Sequence, residues 1–117
     1  MRVLVVDDDP AVRKLVLFLL ADVAEVHECE DGAEALSAYE EHRPGWVLMD
    51  LNMRVVNGLV AAREIVVAHP EARVVIVTQH ESPALRAAAA EAGACDYVLK
   101  DDLTELRRLI TKDLSEA

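Results

Sequence analysis

The sequence predicts a doubly wound α/β fold, in which a five-stranded parallel sheet lies between two layers of helices. Short apolar runs rich in Val, Leu and Ile recur along the chain, and each precedes a segment in which apolar residues have helical spacing. This alternation occurs five times, at steps of roughly two dozen residues. Because the chain has 117 residues and no linker-like segment, we expect residues 1–117 to form a single domain.

The first strand and helix are predicted from the stretch "VLVVDDDPAV". Residues 3–6 form a continuous apolar run, which is typical of a strand buried on both faces. Asp9 and Pro10 predict a helix N-terminus, because Asp caps free backbone N–H groups and proline fits the first helical position. Five apolar residues then share one helical face that we expect to be buried: Val12, Leu15, Val16, Leu19 and Leu20.

The second strand and helix give weaker signals. A strand is predicted over residues 24–28. Asp31 and Glu34 have the spacing of a capping box, which predicts that the second helix begins there. Leu36 and Tyr39 are the candidate buried positions of that helix.

The third strand is predicted from "GWVLMDL", and a polar loop over residues 52–57 follows it. A helical pattern covers residues 58–69 and ends before Pro70, which cannot continue a helix. Four residues of this helix are expected to face inward: Leu59, Ala62, Ile65 and Val66.

The last two strand–helix units have clear start and stop signals. "RVVIVT" predicts a buried strand, and Ser82 with Pro83 repeats the combination of a cap and a first-turn proline. Gly93 marks the end of that helix, and "CDYVLK" predicts the fifth strand. Asp102 with Glu105 is expected to cap a final helix whose core residues are Leu103, Leu106, Leu109 and Ile110.

Charge and composition restrict the partners and the compartment. The net charge of -10 argues against direct binding to nucleic acid or to anionic membranes, which need a basic surface. No apolar run is long enough to span a membrane and no leader pattern opens the chain, so we expect a cytoplasmic protein. Cys29 and Cys95 are interpreted as reduced core residues. The four histidines lack ligand spacing, so zinc is not expected.

Polar residues stand where four of the predicted strands end. Asp7 and Asp8 follow the first strand, Asp50 ends the third, Thr78 the fourth and Lys100 the fifth. Because ligands of such sheets bind outside the carboxyl ends of the strands, we expect these groups to converge. Clustered carboxylates repel each other and therefore require positive charge. The sequence predicts that a divalent cation, best fitted by Mg²⁺, and Lys100 supply it.

Four segments, taken in order, carry a resemblance to a known family: "VLVVDDDP", "WVLMDLNM…NGL", "VVIVT" and "GACDYVLK". Together they resemble the receiver domain of two-component response regulators, and the resemblance covers nearly the whole chain. It implies a flavodoxin-like (βα)5 sandwich with strand order 2-1-3-4-5. It further implies a phosphorylation-dependent switch, not an enzyme in the usual sense, although such a domain catalyses its own phosphoryl transfer and dephosphorylation.

The resemblance also implies a role for each site residue. Asp50 would accept a phosphoryl group. Asp7, Asp8, Asp50 and the backbone carbonyl of Asn52 would hold Mg²⁺ or Mn²⁺. Lys100 would bind a phosphoryl oxygen, and Thr78 would hydrogen-bond to the phosphate. Tyr97 would be the switch residue, inward in the active state, and the surface that changes would consist of the fourth helix, fifth strand and fifth helix.

The resemblance implies protein partners. The phosphoryl donor would be a sensor histidine kinase or a phosphotransfer protein, and the signal would pass to a downstream protein or to a missing C-terminal output domain, with a homodimer as a further option. From position alone, Thr78 could equally be an ordinary residue at the end of a strand, and Tyr97 an ordinary core residue. Two other functions are kept as alternatives: a pseudo-receiver that binds proteins without phosphorylation, and a haloacid-dehalogenase-like phosphatase.

Two positions depart from the family pattern, and two others are candidates for setting the lifetime of the phosphorylated state. Arg54 and Asp101 stand where the family often has proline, and we expect Arg54 to screen the carboxylates in part when no metal ion is bound. Asn52 and His80 lie two residues beyond Asp50 and Thr78. We therefore expect both side chains to line the route of the attacking water.

Overall fold

The computed structural model describes residues 1–53 and 56–116 and contains one five-stranded parallel sheet. The strands are β1 (Arg2–Val6), β2 (Glu25–Cys29), β3 (Trp46–Asp50), β4 (Val74–Thr78) and β5 (Asp96–Leu99). Their order across the sheet is β2-β1-β3-β4-β5. The predicted doubly wound fold and the strand order 2-1-3-4-5 are therefore confirmed.

The helices cover both faces of the sheet. They are α1 (Pro10–Leu20), α2 (Ala35–His42), α3 (Gly58–Ala68), α4 (Pro83–Glu91) and α5 (Thr104–Glu116). Buried residues of α1 and α5 form one apolar cluster, and those of α2, α3 and α4 form another. In β1 successive side chains alternate between them, since Leu4 and Val6 belong to one cluster and Val3 and Val5 to the other. The result is a three-layer sandwich with two cores.

Helix ends agree with the capping signals in most places. The Asp9 carboxylate accepts a hydrogen bond from the Ala11 N–H at 2.9 Å, and the Ser82 hydroxyl accepts one from the Leu85 N–H at 3.2 Å. Gly93 follows α4 with φ of 101°, a left-handed conformation that favours glycine. Among the described helices, none is long and apolar enough to cross a membrane.

Two burial predictions are wrong. Leu15 is 46% exposed, because α1 turns only Val16 and Leu20 fully toward the sheet and Leu15 lies beyond the edge of that stripe. Cys95 is exposed rather than in the core, because it precedes the edge strand β5 and is not part of it. Cys29 is buried, and both thiols are free as predicted.

Three local boundaries also differ from the prediction. Asp31 caps a 3₁₀ turn (Gly32–Glu34), and α2 begins only after that turn. Lys100 does not end β5, because it opens a 3₁₀ turn (Lys100–Asp102). Asp102 accepts a hydrogen bond from the Thr104 hydroxyl at 3.0 Å, and Leu103 precedes α5. Short polar segments between strand and helix allow several turn types, so their exact form depends on tertiary packing.

Candidate functional site

The polar groups at the strand ends surround a cavity at the carboxyl edge of the sheet. Its volume is about 210 Å³, and its lining comes from the segments that follow β1, β3, β4 and β5. The lining residues are Asp8, Asp9, Asp50, Asn52, Thr78, Gln79 and Lys100. The order of the strands explains this convergence, because β1, β3, β4 and β5 are neighbours in the sheet.

Lys100 connects two buried carboxylates in this site. Its Nζ lies 3.0 Å from Oδ2 of Asp7 and 3.1 Å from Oδ1 of Asp50. Both acids are nearly inaccessible, with 2% exposure for Asp7 and 4% for Asp50. The second oxygen of Asp7 accepts a hydrogen bond from the Asp9 N–H at 2.9 Å. One ammonium therefore lies between two carboxylates that have little solvent to screen their repulsion.

The electrostatics of Asp50 and Lys100 follow from this arrangement. Burial raises the pKa of Asp50, and the Asp7 carboxylate raises it further, whereas Lys100 opposes both effects. Burial acts to lower the pKa of Lys100, but its hydrogen bonds to Asp7 and Asp50 outweigh burial, so that the pKa lies above its ordinary value. The folded protein therefore disfavours the negative charge on Asp50, whereas it favours the protonated, positively charged form of Lys100.

The carboxylates of Asp7, Asp8 and Asp50 lie close enough to bind one cation. One oxygen from each lies within 4.8 Å of the others, and this is the only group of at least three such ligands among residues 1–53 and 56–116. Asp8 is exposed, so the group is open to solvent on one side. Oxygen ligands with room for water fit Mg²⁺, which keeps part of its hydration shell in proteins. The acidic cluster is compatible with a magnesium site.

A chain of hydrogen bonds runs from the cavity to Tyr97. The Thr78 hydroxyl is buried and accepts a hydrogen bond from the His80 N–H at 3.2 Å. The His80 carbonyl in turn accepts one from the Tyr97 hydroxyl at 2.6 Å. Tyr97 faces inward and is 8% exposed. The backbone of His80 therefore links the Thr78 hydroxyl in the site with the Tyr97 hydroxyl outside it.

Gly58 allows the segment after β3 to fold back against the strand. A Cβ atom at this position would overlap the Asp50 carbonyl oxygen, so only glycine fits. The Gly58 N–H donates a hydrogen bond to the Leu51 carbonyl at 2.9 Å. The N-terminus of α3 thus lies directly against the backbone that carries Asp50.

The cavity lining differs from the predicted site at four residues: Asp9 and Gln79 line it although they were not predicted to, whereas Asp7 and the His80 side chain are not among its described lining residues. The one sequence signal for Gln79 is its place directly after Thr78, at the end of β4. The side chain of His80, which was expected there, is exposed and is absent from the described lining. Asp101 lies exposed in the turn after β5, and Arg54 lies outside the described residues.

Comparisons with known proteins agree with this geometry. The profile of the family described as response regulator receiver domain matches residues 3–111. The chain is 34% identical over 113 residues to an uncharacterized transcriptional regulatory protein, YhcZ, of Bacillus subtilis, covering 94% of this chain and 52% of YhcZ. It is 33% identical over 101 residues to the chemotaxis protein CheY of the same species, covering 85% of this chain and 84% of CheY.

A solved structure gives the same result at the level of the backbone. The crystal structure of a two-component response regulator of the LuxR family from Aurantimonas sp. SI85-9A1 superposes with a TM-score of 0.89 at 36% identity. The match covers 98% of this chain and 85% of that one. The chain spans about half the length of YhcZ and of the GacA response regulators of Pseudomonas, and most of the length of CheY.

Proposed function

Since the chain belongs to the family of response regulator receiver domains, we propose that residues 1–117 form one receiver domain that accepts a phosphoryl group on Asp50. Receiver domains serve in two-component signalling and are signalling domains, not classical enzymes. The observation that carries the proposal is the position of Asp50, a buried carboxylate at an open cavity, with Lys100 at 3.1 Å and Asp7 and Asp8 beside it.

The geometry supports a nucleophilic role for Asp50. Lys100 contacts Oδ1, and we assign the attack on a phosphorus atom in the cavity to the other oxygen of Asp50, Oδ2. That oxygen would form a bond to phosphorus while the bond from phosphorus to the donor nitrogen breaks, giving an acyl phosphate. Lys100 would then bind a phosphoryl oxygen and neutralise part of its charge. The donor would be a sensor histidine kinase or a phosphotransfer protein.

The same carboxylates would hold the metal ion. Asp7, Asp8, Asp50 and the backbone carbonyl of Asn52 are the proposed ligands of Mg²⁺, or of Mn²⁺. When bound, the ion supplies positive charge that offsets the incoming phosphoryl dianion. The grouping of one oxygen from each of Asp7, Asp8 and Asp50 within 4.8 Å of one another supports this assignment.

The switch would follow the hydrogen bonds from Thr78 to Tyr97. A phosphate on Asp50 would attract the Thr78 hydroxyl, which now accepts a hydrogen bond from His80. Because the His80 carbonyl holds the Tyr97 hydroxyl, movement of this backbone would reach Tyr97. The surface formed by α4, β5 and α5 would change with it. The output would be a downstream protein or a C-terminal domain, with dimer formation as an option, and nucleic acid would not contact this chain directly.

Intact mass spectrometry tests the proposal directly. After incubation with Mg²⁺ and a small phosphodonor, we expect the mass to rise by one phosphoryl group, and peptide mapping to place it on Asp50. Asp50→Asn and excess chelator should each abolish the gain. If the mass does not rise with any phosphodonor, the result would favour a pseudo-receiver. A phosphoryl group on Asp7 would favour a haloacid-dehalogenase-like phosphatase.

The lifetime of the phosphorylated state gives a second prediction. Asn52 and Gln79 line the cavity, and their removal should admit water to the acyl phosphate. We expect Asn52→Ala and Gln79→Ala to change the rate of dephosphorylation by about three- to tenfold, a barrier change of about 0.7–1.4 kcal/mol. Phosphorylation by the small donor should change less.

His80→Ala is the matched control, because it removes a side chain next to the cavity while leaving the backbone of His80 in place. Both rates should stay near those of the unmodified protein. Equal changes of both rates in Asn52→Ala and Gln79→Ala would contradict the assignment of these residues to the water route.

A further inference from the structure

Tyr97 is held in its inward position by the segment that begins α4. The guanidinium carbon of Arg86 lies 4.6 Å from the centre of the Tyr97 ring. Arg86 is itself fixed by Glu81, which accepts two hydrogen bonds from it at 2.6 and 2.8 Å. Ser82 caps the same helical turn, so Glu81 and Arg86 are presented from a defined backbone. A guanidinium that is paired with a carboxylate thus covers one face of the ring.

Tyr97 has space to adopt a second position. A cavity of about 210 Å³ lies between α4 and β5, and Tyr97 and Arg86 are part of its wall. The remainder is lined by Ala89, Ala90, Ala94, Cys95 and Asp96, none of which has an aromatic or long side chain. The ring is therefore kept inward by specific contacts and not by lack of an alternative.

We propose that the ion pair of Glu81 and Arg86 is a latch that holds the Tyr97 ring inward and so sets the balance between its two positions. Arg86 is a positioning residue, because it acts on Tyr97 and touches no reacting atom. The contacts that form the latch include no phosphoryl group. The effect of the latch on signalling rests on the proposed function, because only there does the position of Tyr97 carry the output.

The contacts that form the latch are individually weak. A cation over an aromatic face at an exposed site and an exposed ion pair each contribute little. Two positions of one side chain differ by a small free energy, however, so a modest contribution changes their populations by about two- to fivefold. Glu81 contributes by fixing the plane of the guanidinium through two parallel hydrogen bonds, a geometry that a lysine cannot reproduce.

The latch and the hydrogen bonds that lead from Thr78 through the His80 backbone both reach Tyr97, but at different atoms. Arg86 contacts the face of the ring, whereas the His80 carbonyl contacts the hydroxyl. The two contributions should therefore be separable by mutation. A protein without the latch should still respond at Tyr97 through His80, but from a more outward starting population.

Fluorine NMR tests the latch without any phosphodonor. The chain has two tyrosines, so 3-fluorotyrosine gives two signals that Tyr39→Phe and Tyr97→Phe assign. The readout is the relaxation of the Tyr97 signal by a soluble paramagnetic probe, which increases with exposure. We expect Arg86→Ala to raise it about two- to fivefold, with Glu81→Gln and Arg86→Lys giving smaller rises.

Arg108→Ala is the matched control, because Arg108 forms an exposed ion pair with Glu105 at 3.2 Å on α5. It should leave the Tyr97 signal unchanged, and the buried Tyr39 signal should stay unchanged in every variant. Equal Tyr97 relaxation in Arg86→Ala and Arg108→Ala would overturn the latch, and so would a parallel rise at Tyr39, which indicates general loosening. The NMR measurement involves no phosphoryl group. Its result therefore supports or overturns the latch even if mass spectrometry detects no phosphorylation of Asp50.

Discussion

At the scale of single residues, the pair of Asp50 and Lys100 dominates the site. Asp50 is nearly fully buried and has a second carboxylate, Asp7, on the same ammonium. One cation cannot fully offset two buried anions, so the folded protein resists ionisation of Asp50. The acidic cluster is compatible with a ligand that brings positive charge, and without one we expect the charge of Asp50 to lower the stability of the folded protein.

The pH dependence of stability should show this loss. The pKa of Asp50 is raised in the folded protein above the ordinary value of an aspartate, by burial first and by Asp7 second. Between these two pKa values the folded state binds more protons than the unfolded state, so stability falls as pH rises. In chelator, we expect Asp50→Asn to raise Tm at pH 7 by about 3–6 °C, measured by circular dichroism.

The gain should shrink as the pH falls, and vanish well below the ordinary pKa of an aspartate, where Asp50 is protonated in both states. Asp101→Asn is the control, since Asp101 is exposed in the neighbouring turn and should change Tm little at any pH. A gain that is independent of pH would contradict the electrostatic explanation.

The sequence could predict the main site residues because their positions follow from topology. Parallel strands bring their carboxyl ends to one edge, so Asp50, Thr78 and Lys100 had to be near one another. Gln79 and Arg86 could not be predicted in the same way. Both are exposed polar residues without periodic spacing, and their contacts depend on how the loop after β4 and helix α4 pack.

At the scale of elements, the junction between β3 and α3 positions the phosphoacceptor proposed here. The first residue of α3, Gly58, lies against the carbonyl of Asp50, the last residue of β3. Both contacting groups are backbone, so neither can rotate away. Helix α3 is consequently in direct contact with the strand end, and a change in one must be accommodated by the other.

Substitution of Gly58 should therefore be costly. A Cβ atom would overlap the Asp50 carbonyl oxygen and lie 2.8 Å from its carbon. We expect Gly58→Ala to lower the free energy of unfolding by about 1–3 kcal/mol, measured by urea denaturation, and to reduce phosphorylation of Asp50. Gly45→Ala is the control, since its Cβ would meet atoms only at 3.4 Å or more. Equal stability of the two variants would refute the close approach.

The elements themselves were largely predictable, and the exceptions have a common cause. Asp9 with Pro10 and Ser82 with Pro83 specify helix starts locally, and the structure has helices at both places. The exposure of Leu15 could not be predicted, because it depends on where α1 lies across the sheet. The form of the turn after Lys100 likewise depends on packing and not on the local sequence.

At the scale of the whole molecule, the strong negative charge makes cations general stabilisers of the fold. The chain carries a net charge of -10, and the three grouped carboxylates are only a small part of it. Screening by salt acts on all surface charges, whereas a bound ion acts at one site. These two effects must be separated before any stabilisation is attributed to the acidic cluster.

Thermal unfolding in Mg²⁺ and in NaCl separates specific binding from general screening by salt. An ion that binds only the folded state stabilises it by about 2.7 kcal/mol at a concentration a hundredfold above its Kd. We expect Mg²⁺ to raise Tm by several degrees beyond NaCl of equal ionic strength. Asp8→Asn should remove the excess, and because Asp8 is exposed this variant should fold normally. An equal rise in NaCl would argue against a specific site.

The sole tryptophan, Trp46, opens β3 at the opposite end from Asp50, about 13 Å away along the strand. It is buried under the guanidinium of Arg73, 4.3 Å above its ring, and is not among the described residues that line the cavity. Its intrinsic fluorescence should therefore follow denaturation but remain silent when ions or phosphate reach the far edge. An optical binding assay on this protein requires an introduced fluorophore.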